Sequence, residues 1–210
     1  MRSSKGFMPV GTTASAFGAI AGLANMAYGF AEASLGHARP VAVFFTLNGQ
    51  PALTVIPDML LTGLIGMALS LVYAAWALFF VQRRRGGLVM ILLACAQIPF
   101  GAGLVRISQA IIFGLIGTGI GRPLKIWGIL LPESTRPFLS RLWPVSFLLC
   151  AILYVIHVLT GIIPELSANE SLHSALVIIG GYGNLVMFLV VIATGFAREL
   201  EMKKDSKPIR

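Results

Sequence analysis

Five polar side chains, Gln97, Arg106, Gln109, His157 and Asn184, stand inside or at the edge of long apolar stretches of this sequence. Such groups are costly in apolar surroundings, so they are the first places to look for proton, ion or ligand handling. His157 is the one reasonable general base, able to titrate or to meet a polar partner. Asn184 is a natural partner for it across two helices. Interhelical hydrogen bonds of this kind average about 0.6 kcal/mol and serve equally well as packing glue. Metal ligation at His157 is disfavoured, because no second His or carboxylate lies three or four residues away.

Arg106 has two options. At the outer interface it would extend its guanidinium to water; buried beside Gln97 and Gln109, it would bind an anionic group. Gly181-Tyr182-Gly183 has the letters of a potassium-channel filter, but it lacks a preceding Thr-Val pair and lies within an apolar stretch, where helix packing explains it better. Gly117, Gly119 and Gly121 lack the preceding strand of a dinucleotide fingerprint and form a close-packing face. The sequence holds no HExxH, GxSxG, aspartate-rich pair or P-loop lysine. No catalytic, cofactor-binding or metal-binding residues are therefore expected, and the protein is read as non-enzymatic.

The elements that must position these groups are set by composition. The 210-residue chain is 57% hydrophobic and only 11% charged, against about 25% charged in a soluble domain. Its mean hydropathy is +0.86. Charge is absent from Met8 to Ala31, Met59 to Gln82, Gly86 to Val105, Leu142 to Pro164 and Ser171 to Ala197. Each window is close to or above the roughly 20 residues that cross a hydrocarbon core. Ala14, Gly18 and Gly22, four apart, give the first window a small-residue face suited to helix packing. Arg2 and Lys5 before it, and Ala31-Glu32-Ala33 after it, also resemble a cleavable signal segment. Its length and glycine content favour a retained span. Cys95 and Cys150 lie apart in apolar windows and read as packing residues.

The formal charge of +8 follows the positive-inside bias of membrane insertion rather than a nucleic-acid partner. Fourteen of the sixteen basic residues fall at Arg2 and Lys5, at Arg83 to Arg85, between Arg122 and Arg141, and from Arg198 to Arg210. These segments are assigned to the cytoplasm, as are both termini. The loops from Glu32 to Asp58 and from Glu165 to His173 are assigned outside; they carry four acidic residues and Arg39.

The expected fold is an all-α integral membrane bundle of five to six transmembrane helices, one short or re-entrant, with a small external β-hairpin. Spans are expected at about 10–31, 59–82, 86–105, 144–164 and 174–197. A short leg at 107–121 follows a chain bend at Pro99, Gly101 and Gly103, with Arg106 marking the turn. The external loop 33–57 contains a hairpin centred on Asn48-Gly49, whose two-residue turn would pair Leu47 with Gln50 and Thr46 with Pro51. Trp127, Pro132, Pro137 and Trp143 among basic residues predict a short interfacial helix and turn between Arg122 and Arg141. The tail 198–210 extends the last span.

The stretch PFGAGLVRISQAIIFGLIGTGIGRPL, ending at Leu124, followed by FLSRLWP from Phe138 to Pro144, resembles a group of bacterial multi-spanning membrane proteins with a glycine-rich turn between neighbouring spans. In that group the turn is richer in glycine and proline than Phe100 to Arg106. The resemblance covers about a third of the chain; it implies a multi-pass inner (plasma) membrane protein and carries no activity. Two functions fit: an accessory or scaffold protein whose partners are the lipid bilayer and either another membrane protein or a second copy, met through Gly/Ala faces; or a small transporter with a site near the broken helix at 99–121.

Overall fold

The computed structural model describes residues 8–45, 51–120, 125–163 and 170–205. Four helices are long and apolar enough to cross a membrane: Pro9–Ala33, Met59–Phe79, Arg136–Thr160 and Ser174–Lys204. This is compatible with an all-α membrane protein. The chain divides into two compact units, Ala14–Thr118 and the combination of Met1–Thr13 with Gly119–Arg210.

In the Ala14–Thr118 unit, α1 (Pro9–Ala33) packs on α2 (Met59–Phe79). The small-residue face does this work. A Cβ at Gly22 would meet Ala74 and the Ser70 carbonyl, one at Gly29 would meet Met67 and the Gly63 carbonyl, and one at Gly63 would meet the Gly29 carbonyl and the Ala33 backbone. Only glycine permits backbones to approach this closely. The side chains facing away are large and apolar: Leu23, Leu64, Leu71 and Leu78 are all exposed, the arrangement a lipid-facing surface requires.

The following segment differs from expectation. The predicted span 86–105 is instead an 11-residue helix, α3 (Gly86–Ala96), about 16 Å long and too short to cross a bilayer. A turn then leads into α4 (Leu104–Thr118). Arg106 thus belongs to the first turn of α4, not to the chain reversal. The bend lies at Pro99 and Gly101 as expected, but the helix stops before it: Gly101 has φ +82°, a conformation that helices exclude. α3 and α4 pack through Gly87, where a Cβ would strike Gly114, Gly117 and Thr118.

Strands β1 (Val43–Phe45) and β2 (Pro51–Leu53) form the expected hairpin in a different register. Phe45 pairs with Pro51, Phe44 with Ala52 and Val43 with Leu53. This is one residue off the predicted pairing; Asn48-Gly49 lies outside the described residues. Pro51 explains why the slip is tolerated. Thr54 N–H donates to the Ala42 carbonyl, so alternation along the ladder leaves Pro51 opposite Phe45 at a position that needs no N–H. The hairpin is fastened to the α3–α4 turn: Gly101 N–H donates to Leu53 O at 2.8 Å and Val55 N–H to Pro99 O at 3.1 Å.

In the other unit, α5 (Lys125–Leu130) precedes α6 (Arg136–Ile162). α6 begins well before the predicted 144, with Pro144 inside it. Pro137 in its first turn costs nothing there, since those N–H groups have no helical partner. Then come α7 (Glu170–Val177), a π-helical segment (Ile178–Gly183) and α8 (Asn184–Asp205), which continues beyond the predicted 197 into the charged tail. Trp127 stacks on Phe196 with ring centres 4.1 Å apart, and Trp143 donates to Thr13 Oγ1.

Candidate functional site

Five residues along α1, Gly18, Gly22, Asn25, Gly29 and Glu32, follow one another at three- and four-residue intervals and so share one helix face. The last turns of that face exchange glycine for polar groups. Asn25 Nδ2 donates to Gln97 Oε1 at 3.4 Å, and Ser70 Oγ of α2 donates to the same oxygen at 2.9 Å. Gln97, which ends α3, donates through Nε2 to Leu93 O. It is fully buried. Three helices thus meet at one amide, and Gln97 is the sequence-predicted residue that the structure places most clearly in a polar site.

Glu32 is the residue that sequence reasoning missed. It was assigned to the external loop, yet it lies in the last turn of α1 and is only 5% exposed. Asn25, Gly29 and Glu32 line one cleft with Gly66, Ser70 and residues Phe100 to Ala102. The cleft has no room for a water molecule. Glu32 Oε1 and Asn25 Oδ1 have no hydrogen-bond partner, and Gly101 sits against the Glu32 carboxylate. A signal was present: Glu32 continues the Gly18–Gly22 face at helical spacing, whereas charge bookkeeping alone read it as the start of a loop.

The remaining predicted residues divide between the units. The side chain of Arg106 lies outside the described residues, and Gln109 is half-buried on α4. His157 and Asn184 belong to the unit containing α6 and α8. Asn184 is fully buried and accepts from Cys150 Sγ at 3.3 Å, while its Nδ2 has no hydrogen-bond partner among the described residues. His157 packs its backbone and Cβ against Gly180 of the π-helical segment. Two turns of α6 separate Cys150 from His157 on one face, with Tyr154 between them edge-on to Phe188. Cys150 is therefore buried and bonded, while Cys95 is exposed.

A second buried carboxylate was also missed: Glu199 in α8, 2% exposed, which accepts from Lys203 Nζ at 2.9 Å. Outside the helices, His37 Nδ1 lies 2.7 Å from Asp58 Oδ2. Asp58 caps α2 by accepting from Leu61 N–H. The His37 hydrogen bond, then the Leu61 N–H, hold the Asp58 carboxyl below its ordinary value. Among the described residues, no group of three or more His, Cys, Asp or Glu side chains is placed to hold a metal ion. What this geometry provides, among the described residues, is hydrogen bonding and a buried acid with one oxygen, Glu32 Oε1, left without a hydrogen bond.

The class that fold and site define is a helical protein with four membrane-crossing candidates and a buried polar cluster beside a helix break. Comparison of the chain with protein-family models, with curated proteins and with solved structures finds no match.

Proposed function

We propose that this chain is a non-enzymatic, multi-pass accessory or scaffold protein of a bacterial inner membrane, with both termini in the cytoplasm. The observation that carries this reading is the closed amide cluster. Gln97 spends its hydrogen bonds on Asn25, Ser70 and Leu93, and the adjoining cleft, which Asn25 and Ser70 help to line, has no room for water. Groups used up in this way fix helices in register and hold no solute. The basic residues at Arg83 to Arg85 and beyond Arg198 support the orientation. The four long apolar helices, with the short α3–α4 pair, support a bundle of five to six passes or partial passes. Purification in a mild detergent with crosslinking tests the reading: a defined membrane-protein partner or a discrete homo-oligomer is expected, and a monomer that crosslinks to nothing overturns it.

A second reading, a small transporter, is favoured by one specific observation. Glu32 Oε1 has no hydrogen-bond partner among the described residues where the α3–α4 pair breaks; discontinuous helices build the midplane sites of membrane transporters, and acids at membrane depth mark their ion and proton paths. Uptake or efflux in vesicles that responds to substitution of Glu32 or Gln97 would favour it over the scaffold.

A further inference from the structure

Glu32 and Asn25 are two helical turns apart on one face of α1, 5% and 4% exposed; both line the same cleft, and each has an oxygen without a hydrogen-bond donor among the described residues. Asn25 Nδ2 is already given to Gln97. What this pair of acceptors lacks is positive charge or a donor. The size of the cleft narrows the choice, because it excludes a water molecule and therefore a hydrated ion, an ammonium group or any organic solute. A proton adds no volume, removes the charge of the carboxylate and supplies an O–H donor.

Among the described residues, the elements packed around Glu32 offer it no neutralising charge. Gly66 and Ser70 of α2 and Phe100 to Ala102 of the turn carry no titratable group. His37 and Asp58, before α2, are paired with each other. On α4 the charged residue is Arg106, whose side chain lies outside the described residues; among the described residues the Glu32 oxygen Oε1 has no hydrogen-bond partner.

We propose that Glu32 is a proton-binding site whose occupancy sets the position of the α3–α4 turn. With the proton bound, the acid is neutral and Gly101 rests directly on it. When the proton passes to water, the carboxylate needs solvation, and water enters only if the turn lifts. Lifting strains the two hydrogen bonds that fasten the turn to β2, Gly101 N–H to Leu53 O and Val55 N–H to Pro99 O. The device is a carboxylate gate for water, coupled to the hairpin. It holds for a scaffold and for a transporter alike, so it stands apart from the choice between them.

The test uses the full-length protein in lipid nanodiscs. Carbon-13 at glutamate carboxyls reports ionisation, and amide hydrogen exchange at Gly101 and Val55, corrected for the intrinsic effect of pH, reports the turn. One glutamate signal is expected to titrate apart from the rest and to vanish in Glu32→Gln. Protection of the Gly101 and Val55 amides should fall through that same transition in the wild type and stay high in Glu32→Gln. Glutamine copies the size and neutrality of the protonated acid, so a variant that fails to fold counts against the proposal. So does a wild-type transition that Glu32→Gln leaves intact, or a Glu32 that ionises with no change in protection. A transition that moves with added NaCl but not with KCl would name sodium as the occupant and overturn the assignment of the proton.

Discussion

Gly101 turns with φ +82° against the carboxylate of Glu32, so closely that a Cβ on Gly101 would collide with Oε2. The glycine is thus required twice, for its backbone angle and for the approach. Gly101→Ala is expected to destabilise the protein by about 1–2 kcal/mol, the cost of a left-handed conformation for an alanine. The collision itself adds less, since the end of a glutamate side chain can swing aside. Thermal unfolding in nanodiscs measures the loss, and the double variant Gly101→Ala/Glu32→Ala should recover only the smaller, steric part.

Gly63 has no such escape. Its added Cβ would meet the Gly29 carbonyl and the Ala33 backbone, which cannot swing away. Gly63→Ala should therefore separate α1 from α2 and cost about 1–3 kcal/mol, the usual range for overpacking. Gly183→Ala is the matched control. Nothing lies within 4 Å of a Cβ there, and its effect on unfolding should be near zero.

Helix identity and the bend at Pro99–Gly101 were legible in the sequence because both rest on local signals, long uncharged windows and backbone-specific residues. The boundaries were less legible. An uncharged window continues through Gln97–Gly103 although the helix ends at Ala96, since apolarity does not distinguish a helix from a buried turn. The hairpin was visible but its register was not, because Pro51 sits equally well in both pairings and the choice falls to contacts with Pro99 and Gly101. Gln97 was found as an isolated polar residue. Glu32 was missed because its burial depends on Gly66 and on the turn at Phe100 to Ala102, distant in sequence.

Ser70 and Asn25 share one acceptor, Gln97 Oε1. A Ser70→Ala/Gln97→Leu cycle should show a coupling energy of about 0.6 kcal/mol and no more than about 1.7, the range found for interhelical bonds in membranes. Additivity of the two single substitutions would show that the bond contributes nothing to stability.

The Asp58 carboxyl is held below its ordinary value of 3.8, first by the His37 hydrogen bond and then by the Leu61 N–H. Because the folded value lies below the unfolded one, the stabilisation is fully present above 3.8 and fades as pH falls through the lower, folded value. Acid unfolding of His37→Gln should therefore begin at a higher pH than in the wild type. Asp58→Asn should lose the cap's pH dependence while keeping an N-cap acceptor for Leu61.

Orientation is tested at the hairpin. Val55 is 72% exposed and follows β2, while Arg84 lies in the basic turn before α3. In a background with Cys95 and Cys150 replaced by alanine, Val55→Cys in intact spheroplasts should react at once with a membrane-impermeant maleimide. Arg84→Cys should react only after the membrane is opened. The reverse pattern would place the hairpin in the cytoplasm and invert the topology. Arg106→Cys sharpens the same experiment, because it lies in the first turn of α4, directly after the turn that the hairpin covers. Rapid labelling from outside would put that turn at the membrane surface. Protection in the intact cell, with labelling by an apolar maleimide, would put the start of α4 below the surface and make α3–α4 a re-entrant pair.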